Sequence, residues 1–202
     1  MTIGVFVTGT DTDVGKTVVS AWLVKSWNGD YWKPIQSGVK NGLDADLIRC
    51  VTPNAVIHSS SFLLNASLSP HLAAKLDNIN IKLEDFNLPQ TIRPLVVEGI
   101  GGVLVPINES NLTIDLINHL KLPTIVVAKS GLGTINHTLL TIKALQFRKI
   151  KIVGIIMSGQ VNDENRQAIE HFSGISVIAQ LPQLNVVVND LIQYPPLILR
   201  PF

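Results

Sequence analysis

The chain has 202 residues, 46% of them hydrophobic and 15% charged, with a net charge of +1 and a single cysteine. That length suffices for one core burying about 70% of the unfolded surface, and the aliphatic, weakly charged composition argues against disorder. The neutral balance argues against a basic nucleic-acid or membrane grip. Cys50 alone cannot build a disulfide framework and is expected to be an ordinary buried or half-buried thiol.

In chain order, Ile3 to Thr8 reads as a short buried strand. Gly15 to Trp27 follows as a helix, with apolar residues at Val18, Val19, Trp22 and Leu23. Residues 41–89 hold many turn formers and are expected to form loops and helices at the ligand edge of a sheet. Leu95 to Val97 and Pro123 to Ala128 read as further strands, and Leu139 to Phe147 as a helix. Ile152 to Met157 is a strand, Asp163 to Phe172 a helix, and Ile175 to Ala179 a last short strand. The tail from Tyr194 to Pro201 is too rich in proline for a regular helix. This alternation of apolar strands and helices predicts an α/β fold: one domain over residues 1–202, with a mainly parallel sheet and helices on both faces. No basic-then-apolar leader opens the chain, and no run of about 18 apolar residues occurs. A soluble, cytoplasmic protein with no nucleic-acid or membrane partner is the expectation.

The strongest motif is Gly9-Thr10-Asp11-Thr12-Asp13-Val14-Gly15-Lys16-Thr17, between the first strand and the first helix. That is the context of a phosphate-binding loop. Unpaired N–H groups and the helix dipole, about half a positive charge, favour phosphate there. Lys16 would bridge the β- and γ-phosphates of ATP, and Thr17 would place its hydroxyl on Mg²⁺. Five residues separate the glycines where the usual pattern has four, so the loop should bulge by one. Glu98 closes the apolar run Leu95-Val96-Val97. A carboxylate at the carboxyl end of a buried strand is hard to explain as packing, and the edge it occupies is where open α/β sheets bind ligands. It is the natural Mg²⁺ partner, directly or through water. Lys33 is held extended by the proline that follows it, so its side chain can project into the site.

The loop, with its five-residue spacer, resembles that of the dethiobiotin synthetases of biotin biosynthesis. The resemblance continues, in the family's order, through Lys33-Pro34-Ile35-Gln36-Ser37-Gly38, Ser69-Pro70-His71, Val97 to Gly102 and Gly133-Thr134-Ile135-Asn136-His137, over residues 3 to 184. It implies a P-loop ATPase-like fold and an enzyme that closes a ureido ring on 7,8-diaminononanoate with CO₂ and ATP. It further implies Lys33 and Lys16 as catalytic cations, and Thr17, Asp44 and Glu98 on Mg²⁺, with Asp46 the alternative to Asp44. Asp13, Val14, Gly15, Lys16, Thr17, Val18, Glu98, Gly99, Ile100 and Gly101 would line the nucleotide, with Pro182, Gln183 and Leu184 near its base. Thr12, Ser37 and Asn136 would meet the diamine, Asn136 from the partner subunit of a homodimer, and Asp13 is a further candidate for a diamine nitrogen. His71 is left outside the site.

One departure stands out. Many members of that family place an Asn-Asp pair after the strand equivalent to Ile152–Met157, where it reads the base. Here that place holds Ser158-Gly159-Gln160, and an Asn-Asp pair comes later, at Asn162-Asp163. Weak discrimination among nucleotide bases is therefore expected.

Two other enzyme classes and a non-catalytic nucleotide-binding module compete. Partitioning and metal-delivery switch ATPases carry an extra lysine near the start of the loop, and no lysine occurs here before Lys16. Amide-forming ATPases acting on cobalamin precursors need a glutaminase domain with a nucleophilic cysteine, for which 202 residues and one cysteine leave no room.

Overall fold

A computed structural model describes residues 3–184 and 187–197. Its centre is a seven-stranded sheet in the order β4-β2-β6-β1-β7-β8-β9. The strands are β1 (Gly4–Gly9), β2 (Asp30–Trp32), β4 (Ile57–His58), β6 (Leu95–Gly102), β7 (Thr124–Lys129), β8 (Ile152–Ser158) and β9 (Val177–Leu181). Every neighbouring pair is parallel. Such a sheet must be covered on both faces, which is why its strands are nearly continuous apolar runs. Two short strands, β3 (Ile35–Ser37) and β5 (Phe62–Leu64), form a separate parallel pair.

Helices α1 (Lys16–Trp27), α2 (Asp44–Val51) and α7 (Val187–Gln193) cover one face. They pack on Val5, Val7, Tyr31, Val96, Ile125 and Val127. Helices α3 (Pro70–Leu76), α4 (Thr113–Leu120), α5 (Thr134–Phe147) and α6 (Asp163–Ser173) pack on the other, against Phe6, Trp32, Val97, Val126 and Ile155. The alternation of these residues along each strand fixes the register, because a one-residue slip would turn every buried side chain to the wrong face. The same register places Val96 beside Tyr31 of β2 on the α1 side, and Glu98 beside Lys33, which follows the end of β2.

The α/β fold with a parallel sheet is as expected, and several details differ. Residues 41–89 hold the expected helices, α2 and α3, and in addition two short strands, β4 and β5. The strand placed at Ile175 to Ala179 begins and ends two residues later. Strand β2 and helix α4 had no strong signal: β2 is three residues long, and α4 follows a loop. Cys50 is exposed, because Ile48 and Val51 are the residues α2 turns inward. The chain end is tied to α1: the Lys25 ammonium donates to the carbonyls of Leu191, Ile192 and Tyr194, and the Trp22 indole to that of Pro195. The proline-rich tail is non-helical after Gln193 as far as Leu197, and its remainder lies outside the described residues. No helix among the described residues is long and apolar enough to cross a membrane.

Candidate active site

The loop after β1 is shaped by two close approaches. A β-carbon on Gly9 would sit 2.8 Å from the Asp11 carbonyl oxygen and from a Val14 methyl. Gly15 has φ of +94° and faces Ser158, whose hydroxyl would lie 2.6 Å from an added β-carbon. Asp13 also adopts a left-handed φ of 53° and is exposed, which accommodates the additional loop residue. Gly15 caps α1 without a side-chain hydrogen bond, and the first turn holds no acidic residue. The helix thus presents its first N–H groups without a competing carboxylate, as an anion site requires. The Lys16 ammonium arches back to donate to the Asp11 carbonyl at 2.7 Å. Burial lowers its pKa from 10.5 to about 8, with Lys33 adding to the effect and Glu98, Asp44 and Asp13 opposing it.

Four side chains from different parts of the chain meet beside this loop. The Thr17 hydroxyl lies 2.8 Å from Glu98 Oε1 and 3.0 Å from Asp44 Oδ1. The Lys33 ammonium reaches Asp44 Oδ2 at 2.5 Å, Glu98 Oε1 at 2.9 Å and the Gly99 carbonyl at 3.4 Å. Lys33 is 5% exposed and Glu98 1%, so the pair is buried and each group depends on the other as its partner. Burial alone would lower the Lys33 pKa, but Glu98 and Asp44 raise it. Burial would likewise raise Asp44, but Lys33 and the Thr17 hydroxyl hold it below its ordinary value.

This donor set fits Mg²⁺. The single Thr17 proton cannot serve two carboxylates at once, whereas a hard cation among these three oxygens satisfies all of them. Mg²⁺ usually takes only one or two carboxylates, with waters and phosphates completing its shell. That is consistent with the absence, among the described residues, of a group of three or more acidic, His or Cys side chains able to hold a metal. Asp46 stands apart: it accepts from the Leu43 amide at 3.0 Å, pairs with Arg49 and is exposed.

The other expected site residues are placed as follows. Val14 is buried and Val18 half-buried, flanking Lys16 and Thr17. Gly99, Ile100 and Gly101 run along the carboxyl half of β6. Thr12 is exposed on the loop, its amide held by the Asp11 carboxylate at 2.7 Å. The Ser37 hydroxyl is buried with no hydrogen-bond partner among the described residues, which suits a polar substrate group. Asn136 lies exposed in the first turn of α5. A cavity of about 380 Å³ between the loop and α5 is lined by Thr10, Asp11, Gly102, Leu104, His137 and Leu140, among others. Pro182, Gln183 and Leu184 follow β9, with Gln183 exposed and Leu184 packed against the core.

The Asn162-Asp163 pair is committed to structure. Asn162 Oδ1 caps α6 by accepting from the Asn165 amide at 2.8 Å. Asp163 Oδ1 accepts from Arg166 at 3.0 Å and from Gln180 at 2.9 Å.

Two functional contacts carry weaker sequence signals. The Tyr31 hydroxyl donates to Glu98 Oε2 at 2.9 Å, and burial and then the Glu98 charge push its pKa well above the ordinary phenol value. Its sequence signal is weak: Tyr31 lies two residues before Lys33, in a strand of only three residues. Gln36 accepts from the Asp44 amide at 3.2 Å and so fixes the start of α2.

A protein-family model for an AAA domain matches residues 3–190. The chain is 55% identical to the ATP-dependent dethiobiotin synthetase BioD of Paramagnetospirillum magneticum, over 91% of the chain and 90% of that relative. It is 44% identical to the enzyme of the same name from Lawsonia intracellularis, over 95% and 94%. Among solved structures, a ParA family ATPase from Chlorobium tepidum aligns with a TM-score of 0.59 at 13% identity, covering 93% of this chain and 88% of that one. The MinC:MinD cell division complex of Aquifex aeolicus aligns with a TM-score of 0.54 at 11% identity, covering 94% and 85%. At such identities these two structures share the fold.

Proposed function

The chain belongs to the dethiobiotin synthetase family, and from that premise we infer that it is an ATP-dependent dethiobiotin synthase, a ligase that closes a ureido ring on 7,8-diaminononanoate. One ATPase-like domain carries the reaction. CO₂ adds to one amine, which releases a proton and becomes a carbamate. A carbamate oxygen attacks the γ-phosphorus of ATP, the bond to the bridging oxygen breaks, and ADP leaves. The second amine attacks the carbonyl carbon of the resulting carbamic–phosphoric anhydride, expelling phosphate and losing a proton to give dethiobiotin.

Phosphoryl transfer of this kind depends on positioning and charge stabilisation more than on covalent chemistry from the protein. The α1 amides and Lys16 bind the phosphates. Lys33, released from its carboxylate partners, stabilises the charge shared by the carbamate and the γ-phosphoryl group. Thr17, Asp44 and Glu98 would hold Mg²⁺, which would supply charge neutralisation for the phosphate oxygens. Thr12 and Ser37 orient the diamine, with Asp13 beside one of its nitrogens. Asn136 meets the substrate carboxylate from the partner subunit of a homodimer, a role suited to its place at a helix start. The exposed Leu104, Leu132 and Leu140 give such a dimer an apolar surface to cover. The enzyme works in the cytoplasm.

The observation that carries this reading is the meeting of Lys33 with Thr17, Asp44 and Glu98 beside the phosphate loop. The test is phosphate release from ATP. It should require both the diamine and bicarbonate; hydrolysis stimulated only by a protein partner would instead favour a nucleotide switch.

A further inference from the structure

Glu98 divides its two oxygens between different partners. Oε1 faces the site and takes Thr17 at 2.8 Å and Lys33 at 2.9 Å. Oε2 points back into the core and takes the Tyr31 phenol at 2.9 Å. Tyr31 is fully buried among apolar residues that include Val5, Val7, Val96 and Ile48. The two groups on Oε1 are those the reaction must redirect, since Thr17 turns to the cation and Lys33 to the reacting phosphoryl group. The phenol has no such second role, and among the described residues its hydroxyl has no other hydrogen-bond partner.

We propose that Tyr31 is a positioning residue: its hydroxyl clamps Oε2 of Glu98 and so aims Oε1 at the metal while Lys33 and Thr17 change partners. The terminal torsion of a glutamate is broad and sets no preferred carboxylate plane. A buried carboxylate oxygen left without a donor carries a desolvation penalty, so without Tyr31 the carboxylate turns to share its remaining donors. Outer partners of metal ligands commonly change metal affinity or activity about 10–100-fold when removed. The proposal rests on the reading of Glu98 as a metal carboxylate.

The experiment titrates Mn²⁺ in the presence of a non-hydrolysable ATP analogue, following free Mn²⁺ by electron paramagnetic resonance. It compares the unmodified enzyme, Tyr31→Phe, Glu98→Gln and the double variant. Tyr31→Phe should bind Mn²⁺ about 10–100-fold more weakly, leave KM for the diamine unchanged, and add no further loss in the Glu98→Gln background. Normal Mn²⁺ binding by Tyr31→Phe alongside weak binding by Glu98→Gln overturns the role of Tyr31 alone. Normal binding by Glu98→Gln overturns the metal reading and the proposal together. A Tyr31→Phe loss that persists undiminished in the Glu98→Gln background assigns the effect to packing and also overturns the proposal. Should Tyr31→Phe not fold, 3-fluorotyrosine at position 31 reports on the same bond. Its ¹⁹F resonance should move on metal binding in the unmodified background and stay fixed with Glu98→Gln; a resonance that metal does not move overturns the clamp.

Discussion

The carboxyl edge of the sheet has two ends that solve different problems. At one end, Lys16 and Thr17 of α1 meet Lys33, Asp44 and Glu98 from three other parts of the chain, and their charges are largely matched against one another. At the other end, Ser158, Gly159, Gln160 and the segment from Pro182 to Leu184 are partly exposed, and the nearby polar groups cap a helix or hold a loop. The first end is organised before any ligand arrives, and burial makes each contact count. The second offers few fixed donors to a ligand. On the proposed reading, the first end carries the chemistry, and the second leaves base selectivity to backbone and shape.

The largest effect is expected at the organised end. Lys33→Ala should lower kcat by about 10²–10³, as loss of a preorganised charge does. Because Lys33 is buried, the variant should lose stability as well. Asp44 and Glu98 would be left without their common cation, and breaking a buried pair costs about 3–5 kcal/mol. Part of that loss should be recovered on adding Mg²⁺, read as a rise in Tm. An unchanged kcat would refute the catalytic role. Next in size, Asp44→Asn should weaken Mg²⁺ binding by at least tenfold, a change of about 1.4 kcal/mol. Asp46→Asn should leave metal binding alone and cost about 1 kcal/mol or less of stability through the lost cap. Equal metal defects in the two variants would break the distinction between them.

The sheet and the organised end were legible for the same reason. A buried strand must be apolar, so Glu98 at the end of Leu95 to Val97 stands out, as does a glycine-rich loop between a strand and a helix. Asp44 is preferred over Asp46 in the sequence only through the family resemblance, because the two stand two residues apart in Asp44-Ala45-Asp46. What separates them is the direction each faces, and that depends on Gln36 holding the Asp44 amide. Tyr31 was hidden because β2 is only three residues long, too short to show its own alternation. The second end was legible mainly as a departure: Asn162-Asp163 reads as a displaced recognition pair, yet its side chains are consumed by the start of α6.

A pH measurement probes the organised end more gently. Lys16 has a pKa lowered to about 8 by burial, so its ammonium is present below that pH and lost above it. Phosphates favour the charged form and raise the pKa on binding. ATP binding should therefore take up a proton between pH 8 and 10, read by calorimetry in buffers of different ionisation enthalpy, and affinity should fall by up to tenfold per pH unit there. Through this group alone, stability moves the opposite way. The folded pKa lies below the unfolded one, so the penalty of a buried ammonium is complete below pH 8 and fades as pH rises. No proton uptake at pH 9 would mean that Lys16 is fully charged before ATP arrives.

The smallest effect is expected at the base end, where an absence of change is the informative result. ATP, GTP, CTP and UTP should give kcat/KM values within about tenfold of one another, because a factor of ten is 1.4 kcal/mol, roughly one ordinary hydrogen bond. A site built to pair with one base leaves its own polar groups unmatched by the others, and that mismatch is what produces discrimination of about 10⁴ or more. Here Asn162 and Asp163 already have partners, and Gln160 and Gln183 are exposed to water. A wrong base therefore strands no buried donor or acceptor, and water satisfies what the base does not. Gln160→Ala should accordingly shift the ratios by less than about threefold. A preference for ATP of several orders of magnitude would require a buried, ligand-facing group at this end, and the contrast between the two ends would then have to be abandoned.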